Sequence, residues 1–224
     1  MFWSQEIIMK VLIIGASGRT GKLVVEEALA QGWEVKALVR EVKVFDINHP
    51  NLVKVEGTPF AYADVKKACE FCDVVISALN ISRASENPWS KLVSPENLLS
   101  KSMQNVVDVS KHFPLKKLIT VSAWGVGDSR AEIPWWFKLM IRISKISPVY
   151  QDHDRQERIV QNADLNFTIV RPVGLNDKEA RPVKVSQNAS PKPGLFISRK
   201  SLAKYLVQCA REDLHVKEII TLSE

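Results

Sequence analysis

Long apolar runs are missing from this sequence. None approaches the roughly 18–20 residues that a bilayer-spanning helix requires, because charge interrupts every candidate, and integral membrane association is excluded. The start, MFWSQEIIMK, has no basic n-region followed by an apolar h-region and a small-residue cleavage site, so it does not read as a signal peptide. Residues 1–8 read as an extension ahead of a domain spanning 9–224. Cysteine is scarce and odd in number, with only Cys69, Cys72 and Cys209, which suits a reducing, cytoplasmic setting. Cys69 and Cys72 form a lone C-x-x-C at a point where a helix gives way to a strand. Redox motifs of that spacing follow a strand and open a helix, and no second pair exists to complete a zinc site. Packing is the favoured reading and no metal is expected.

Charge of one sign is also lacking. Against 25 Asp+Glu stand 31 Lys+Arg, a formal +6, but the cations are dispersed and no nucleic-acid motif accompanies them. A phosphate-bearing small molecule accounts for the surplus more economically than a nucleic acid does. Glycine is sparse too, at nine in 224 residues. Three of the nine, Gly15, Gly18 and Gly21, fall in one seven-residue window, and that crowding is the most informative feature of the composition. The apolar fraction of 46% is ordinary for a globular chain and too high for disorder.

Apolar runs and helical periodicity alternate along nearly the whole chain. Strands are predicted at Lys10–Ile14, Val35–Arg40, Leu52–Glu56, Asp73–Leu79, Leu118–Ser122, Asn166–Arg171 and Glu218–Leu222. Helices are predicted at Thr20–Gln31, Ala61–Phe71, Pro95–Lys111, Pro134–Lys145, Asp152–Asn162 and Ser198–Arg211. The segment 174–194, rich in Pro, Lys and Asn, reads as a loop. Strands separated by helix-length segments imply right-handed crossovers and an α/β, doubly wound, mostly parallel, Rossmann-like sheet. No linker divides the chain, so a single domain is expected.

The first strand runs directly into Gly15-Ala16-Ser17-Gly18-Arg19-Thr20-Gly21, and a helix follows. One glycine lets the chain turn sharply, another admits a pyrophosphate to the backbone, and a third packs the helix against the sheet. The helix-start amides and the dipole then favour the phosphates. The spacing G-x-x-G-x-x-G departs from G-x-G-x-x-G, but its position at the first strand-turn-helix makes it a dinucleotide signal. The residue ending the second strand selects the dinucleotide. An acidic residue there would accept the ribose hydroxyls of NAD. This chain has Arg40, with Arg19 in the turn and Lys43 nearby, and guanidinium groups suit a 2′-phosphate. NADP(H) is therefore expected in preference to NAD(H), with the adjacent Glu41 as the contrary sign.

The pieces VLIIGASGRTGKLVVEEAL, ALVR, DVVISAL, LITVSAWGV, YQDHDRQERIV, FTIVRPVGL and ISRKSLAKYLV, in that order over most of the chain, resemble the NmrA-like, NAD(P)-binding group of atypical short-chain dehydrogenases. The likeness is strongest to the small single-domain members similar to flavin reductase/biliverdin-IXβ reductase. The resemblance implies that Gly15, Ser17, Gly18, Arg19, Thr20 and Gly21 hold the pyrophosphate and that Arg40 holds the 2′-phosphate. It further implies that Ala78 and Leu79 line the adenine-ribose side and that Ser122 lies beside the nicotinamide. Pro172, Val173 and Gly174 cover its far face, and His153 stands on a helix beside the active site. Thr58 after Gly57 departs from the family's frequent Asp and puts the adenine contact in doubt.

For catalysis the candidates are Ser122, Tyr150 and His153. Standard short-chain dehydrogenases pair Tyr with a Lys four residues later, which lowers the phenol pKa, but position 154 here is Asp. Carbonyl–alcohol chemistry by that route is disfavoured. Hydride transfer to a flavin, quinone or linear tetrapyrrole asks less of the protein, since such acceptors delocalise the incoming charge. The alternative is a non-catalytic, NADP(H)-binding redox-sensing regulator of the NmrA type with a protein partner. Trp124, just after the Ser122 strand, reads as a pocket wall. Trp135 and Trp136, in the run Ile133-Pro-Trp-Trp-Phe-Lys-Leu-Met-Ile-Arg-Ile, read as a lid over a flat acceptor, as core, or as a membrane or protein contact.

Overall fold

The structure is a computed structural model that describes residues 8–85 and 87–224. The extension read at 1–8 lies outside the described residues apart from Ile8. Among the described residues ten strands and six α-helices follow one another, β1 (Lys10–Ile14), α1 (Arg19–Ala30), β2 (Glu34–Val39), β3 (Leu52–Glu56), α2 (Tyr62–Cys69), β4 (Val74–Ser77), α3 (Leu98–Ser110), β5 (Lys117–Val121), α4 (Trp135–Ile143), α5 (Ser147–Gln161), β6 (Phe167–Pro172), β7 (Gly174–Asn176), β8 (Lys184–Ser186), β9 (Phe196–Ser198), α6 (Arg199–Arg211) and β10 (Glu218–Ser223).

Eight strands form one sheet in the order β3-β2-β1-β4-β5-β6-β10-β8. All neighbours are parallel except β8, which runs antiparallel to β10. The α/β, doubly wound, Rossmann-like single domain expected from the alternation is what the chain forms. The central strands are near-continuous apolar runs because helices cover both faces. Val11, Ile13, Val74, Ile76, Ile119 and Val121 pack with α1 and α6. Leu12, Ile14, Val75, Leu118 and Ile169 pack with α2, α3 and α5. Strand order reverses between β1 and β4, and in such sheets the crevice outside the carboxyl ends of the strands at that reversal is where ligands bind.

Two parts depart from the sequence reading. The segment 174–194 contains β7, which pairs in parallel with β9, and β8, which extends the main sheet. Three-residue strands carry too little alternation to stand out from a loop composition. Helix α5 begins at Ser147 rather than Asp152, with Pro148 in its first turn, where a proline's missing amide costs nothing.

Candidate dinucleotide site

The site begins where β1 ends. Gly15 takes a left-handed conformation, φ +80°, and a Cβ there would stand 3.0 Å from the backbone of Ala78 and Leu79. The turn is thus pressed onto the end of β4, and the Ala78 amide donates to the Ile14 carbonyl at 2.9 Å. Gly18 N donates to Gly15 O at 2.9 Å, closing the turn. A Cβ on Gly21 would meet Gly15 O at 2.0 Å, so only glycine lets α1 pack this close. Helix α1 has no side-chain cap and no acidic residue in its first turn. Its leading amides therefore have no carbonyl one turn back and no capping oxygen, and the cradle is open to an anion with the dipole in the right sense.

A cleft of about 940 Å³ extends from this turn. Its walls include Gly15, Ser17, Gly18, Arg19, Thr20, Arg40, Ala78 and Leu79, so the structure brings together most of the residues assigned to the cofactor. Arg40 follows β2 directly and is exposed. No hydrogen bond or ion pair engages its guanidinium among the described residues. Thr58, also on the cleft wall, belongs to a turn in which its amide donates to Asp64 Oδ2 at 2.8 Å. Sequence reasoning missed the opposite wall, made by Asn80–Arg83, Ser94, Leu98, Leu175 and Arg199. Asp177 bridges Arg199, 2.7 Å from its Nη1, and Arg19, at 3.6 Å. The only signal for Arg199 was its place beside Ser198, whose Oγ caps α6 by accepting from Ser201 N.

The remaining candidates do not line this cleft. Ser122 is buried just beyond β5, its amide bonded to Val170 O at 2.7 Å and its hydroxyl without a partner. Ser77 Oγ, Thr120 Oγ1, His153 Nδ1 and Gln156 Oε1 are also buried and unpartnered. Ser77 and Thr120 are register partners on β4 and β5. They share the sheet face of Val75 and Leu118, against which α5 packs. Trp124 is buried, its Nε1 donating to Glu132 at 3.1 Å. Val173 is buried and Gly174 opens β7. Trp135 and Trp136 are exposed. They are neither core nor cleft lining, because α4 turns Phe137, Met140 and Ile141 inward instead.

A second unforeseen feature fixes the loop beyond β5. Arg171 on β6 makes a bidentate pair with Glu157 of α5, at 2.9 and 2.6 Å, and reaches Asp128 at 2.5 Å. Gly127 has φ +55°, and a Cβ there would stand 2.8 Å from Arg171 Nη2. Burial opposes the Arg171 charge, but Glu157 and Asp128 outweigh it and hold the guanidinium firmly protonated.

A model of an NAD(P)H-binding family matches residues 15–213, from the glycine turn almost to β10. The chain belongs to this NAD(P)H-binding family. An uncharacterized chloroplastic protein of Arabidopsis thaliana is 28% identical over 226 residues, covering 96% of this chain and 78% of that protein. An anaerobilin reductase from Escherichia coli O157:H7 superposes with a TM-score of 0.79 at 20% identity, over 96% of this chain and 97% of that one. A short-chain dehydrogenase/reductase of Veillonella parvula in complex with NADP gives a TM-score of 0.79 at 16% identity, over 96% and 94% of the two chains. At these identities the two solved structures speak for the fold.

Within this NAD(P)H-binding family member, the titratable groups near the strand ends are poorly set for acid–base work. Burial pushes the Tyr150 phenol up to about 12, with Arg130 and Arg83 offsetting only part, and its hydroxyl lies 3.4 Å from the Trp124 carbonyl oxygen. Asp154 is paired with Arg158 at 2.7 Å. Burial pulls the His153 imidazole down to about 4, against a smaller opposing effect of Asp152. Cys69 and Cys72 are buried, and their thiols are pushed up to about 12 and about 11. No helix among the described residues is long and apolar enough to cross a membrane.

Proposed function

We propose that this chain is an NADPH-dependent oxidoreductase that passes hydride to a small, flat, conjugated acceptor of the flavin, quinone or linear tetrapyrrole class. The observation that carries the reading is a phosphate-fitting cleft whose lining, among the described residues, includes no Tyr, His, Lys, Cys, Asp or Glu, with Tyr150 and His153 outside it. A ketone needs an acid beside the nascent alkoxide. A conjugated acceptor spreads the added charge and takes its proton from water, which leaves the protein to bind and orient.

When bound, NADPH supplies the hydride. Gly15, Ser17, Gly18, Arg19, Thr20 and Gly21 would hold its pyrophosphate and Arg40 its 2′-phosphate. Ala78 and Leu79 would flank the adenine ribose. Pro172, Val173 and Gly174 would lie toward the nicotinamide, with the buried, unpartnered Ser122 hydroxyl and Trp124 behind the cleft lining rather than in it. The anaerobilin reductase and the NADP-bound reductase that share this fold supply a linear tetrapyrrole and NADPH as the first acceptor and cofactor to try. The buried free thiols fit a reducing compartment such as the cytoplasm, and the chloroplastic relative makes a plastid the other candidate.

The test is NADPH oxidation on a panel of FMN, quinones and biliverdin, with a simple ketone as control. Turnover is expected with at least one conjugated acceptor and not with the ketone. Tight NADPH binding with no turnover on any acceptor would sink the enzyme reading and leave the redox-sensing regulator with a protein partner.

A further inference from the structure

Helix α4 is apolar nearly all the way round, a pattern found in helices buried in protein or in lipid. Its inner side is accounted for: Ile141 is buried, Met140 packs on the core, and Phe137 meets Tyr150 edge-on with ring centres 6.3 Å apart. Its outer side is not. Trp135, Leu139 and Ile143, spaced i, i+4, i+8 along one stripe, are 76%, 47% and 60% exposed, and Trp136 beside them is 51% exposed. The amide of Lys145 donates to Pro88 O at 3.0 Å. This bond brings the loop carrying Trp89, also exposed, against the end of α4.

The charges on the α4 segment itself are of one sign. Residues 133–148 include Lys138, Arg142 and Lys145 and no Asp or Glu, and Arg142 and Lys145 are exposed. A protein interface carries a mixed polar rim around its apolar centre. A stripe of Trp, Leu and Ile on a helix whose own charges are all cationic instead matches an anionic bilayer surface, where indole rings settle at headgroup depth and cations meet lipid phosphates. We propose that α4, with the Trp89 loop beside it, docks this protein peripherally on an anionic membrane surface. The docking does not depend on which acceptor the cleft takes. It does turn toward the bilayer the same 80–95 loop that supplies Asn80–Arg83 and Ser94 to the cleft wall.

Co-sedimentation with phosphatidylcholine vesicles, with and without phosphatidylglycerol, tests the surface directly. Pelleting is expected only with the anionic vesicles and should weaken as salt is raised. Arg142→Glu/Lys145→Glu should reduce binding by at least about fivefold for each cation removed, and Trp135→Glu/Leu139→Glu should abolish it. Both variants should keep wild-type NADPH affinity and far-UV circular dichroism, which separates lost docking from lost folding. No pelleting of the wild-type protein with anionic vesicles would overturn the proposal, as would full binding by Trp135→Glu/Leu139→Glu. A dimer dissolved by Leu139→Glu in a protein that ignores vesicles would overturn it too, and would assign the stripe to a second copy of the chain.

Discussion

The proposed NADP preference rests on Arg40 because of where the backbone leaves it. It is the first residue past β2, on the cleft wall, with a guanidinium that no described residue engages. A charge-assisted hydrogen bond is worth about 1.5–3 kcal/mol, so Arg40→Asp should weaken NADPH binding by about 10- to 100-fold while sparing or improving NADH, as read by cofactor titration; equal loss of both would show that Arg40 does not touch the 2′-phosphate. His153 titrates in a different sense. Its imidazole stays neutral down to about pH 4 in the folded chain, against 6.5 when free. Its contribution to stability is therefore complete above pH 6.5 and is lost as the pH falls toward 4, by up to about 3 kcal/mol on this shift. Urea unfolding across that window should show the slope, and His153→Gln should flatten it. The place of Arg40 on the cleft wall was legible in the sequence because it follows from a short segment read in order. The burial of His153 was not, because helix periodicity alone does not reveal that the α3–α5 contact covers that face.

At the scale of elements, α3 has its N-terminus finished by another helix. Asp152 of α5 accepts from the amides of Leu99, at 2.7 Å, and Ser100, at 3.3 Å, and from the Ser100 hydroxyl. A cap supplied from 53 residues away in sequence leaves no local signature, and the residue preceding α3, Asn97, makes no side-chain cap. Asp152→Ala should therefore cost more than an exposed cap, about 2–3 kcal/mol, since buried donors lose their acceptor; a change below about 0.5 kcal/mol in urea unfolding would mean that Asp152 is dispensable as a cap. The long strands and helices were readable because each carries its own period. The β7–β9 ribbon and the antiparallel β8 were not, since they are held by partners distant in sequence rather than by composition. The exposure of Trp135 and Trp136 was not readable for a related reason: α4 is apolar on both sides, so its sequence does not indicate which side turns inward.

For the whole molecule, the topology explains why the glycine turn, the β2 end and the β4 end meet. The strand order reverses between β1 and β4, opening one crevice at which three short segments converge. The alternation of strands and helices foretold that crevice, and the three clustered glycines the turn at its edge. They gave no account of the buried, unpartnered hydroxyls of Ser77, Thr120 and Ser122, which do not line the cleft. Reduction of a conjugated acceptor remains the chemistry that asks least of those groups. Its most direct test is a single-turnover mixing experiment with NADPH deuterated at both C4 positions and an excess of conjugated acceptor. The account predicts that bound reduced nicotinamide is consumed in step with acceptor reduction, and more slowly when deuterated. Bound NADPH that stays fully reduced in the presence of every acceptor would contradict it.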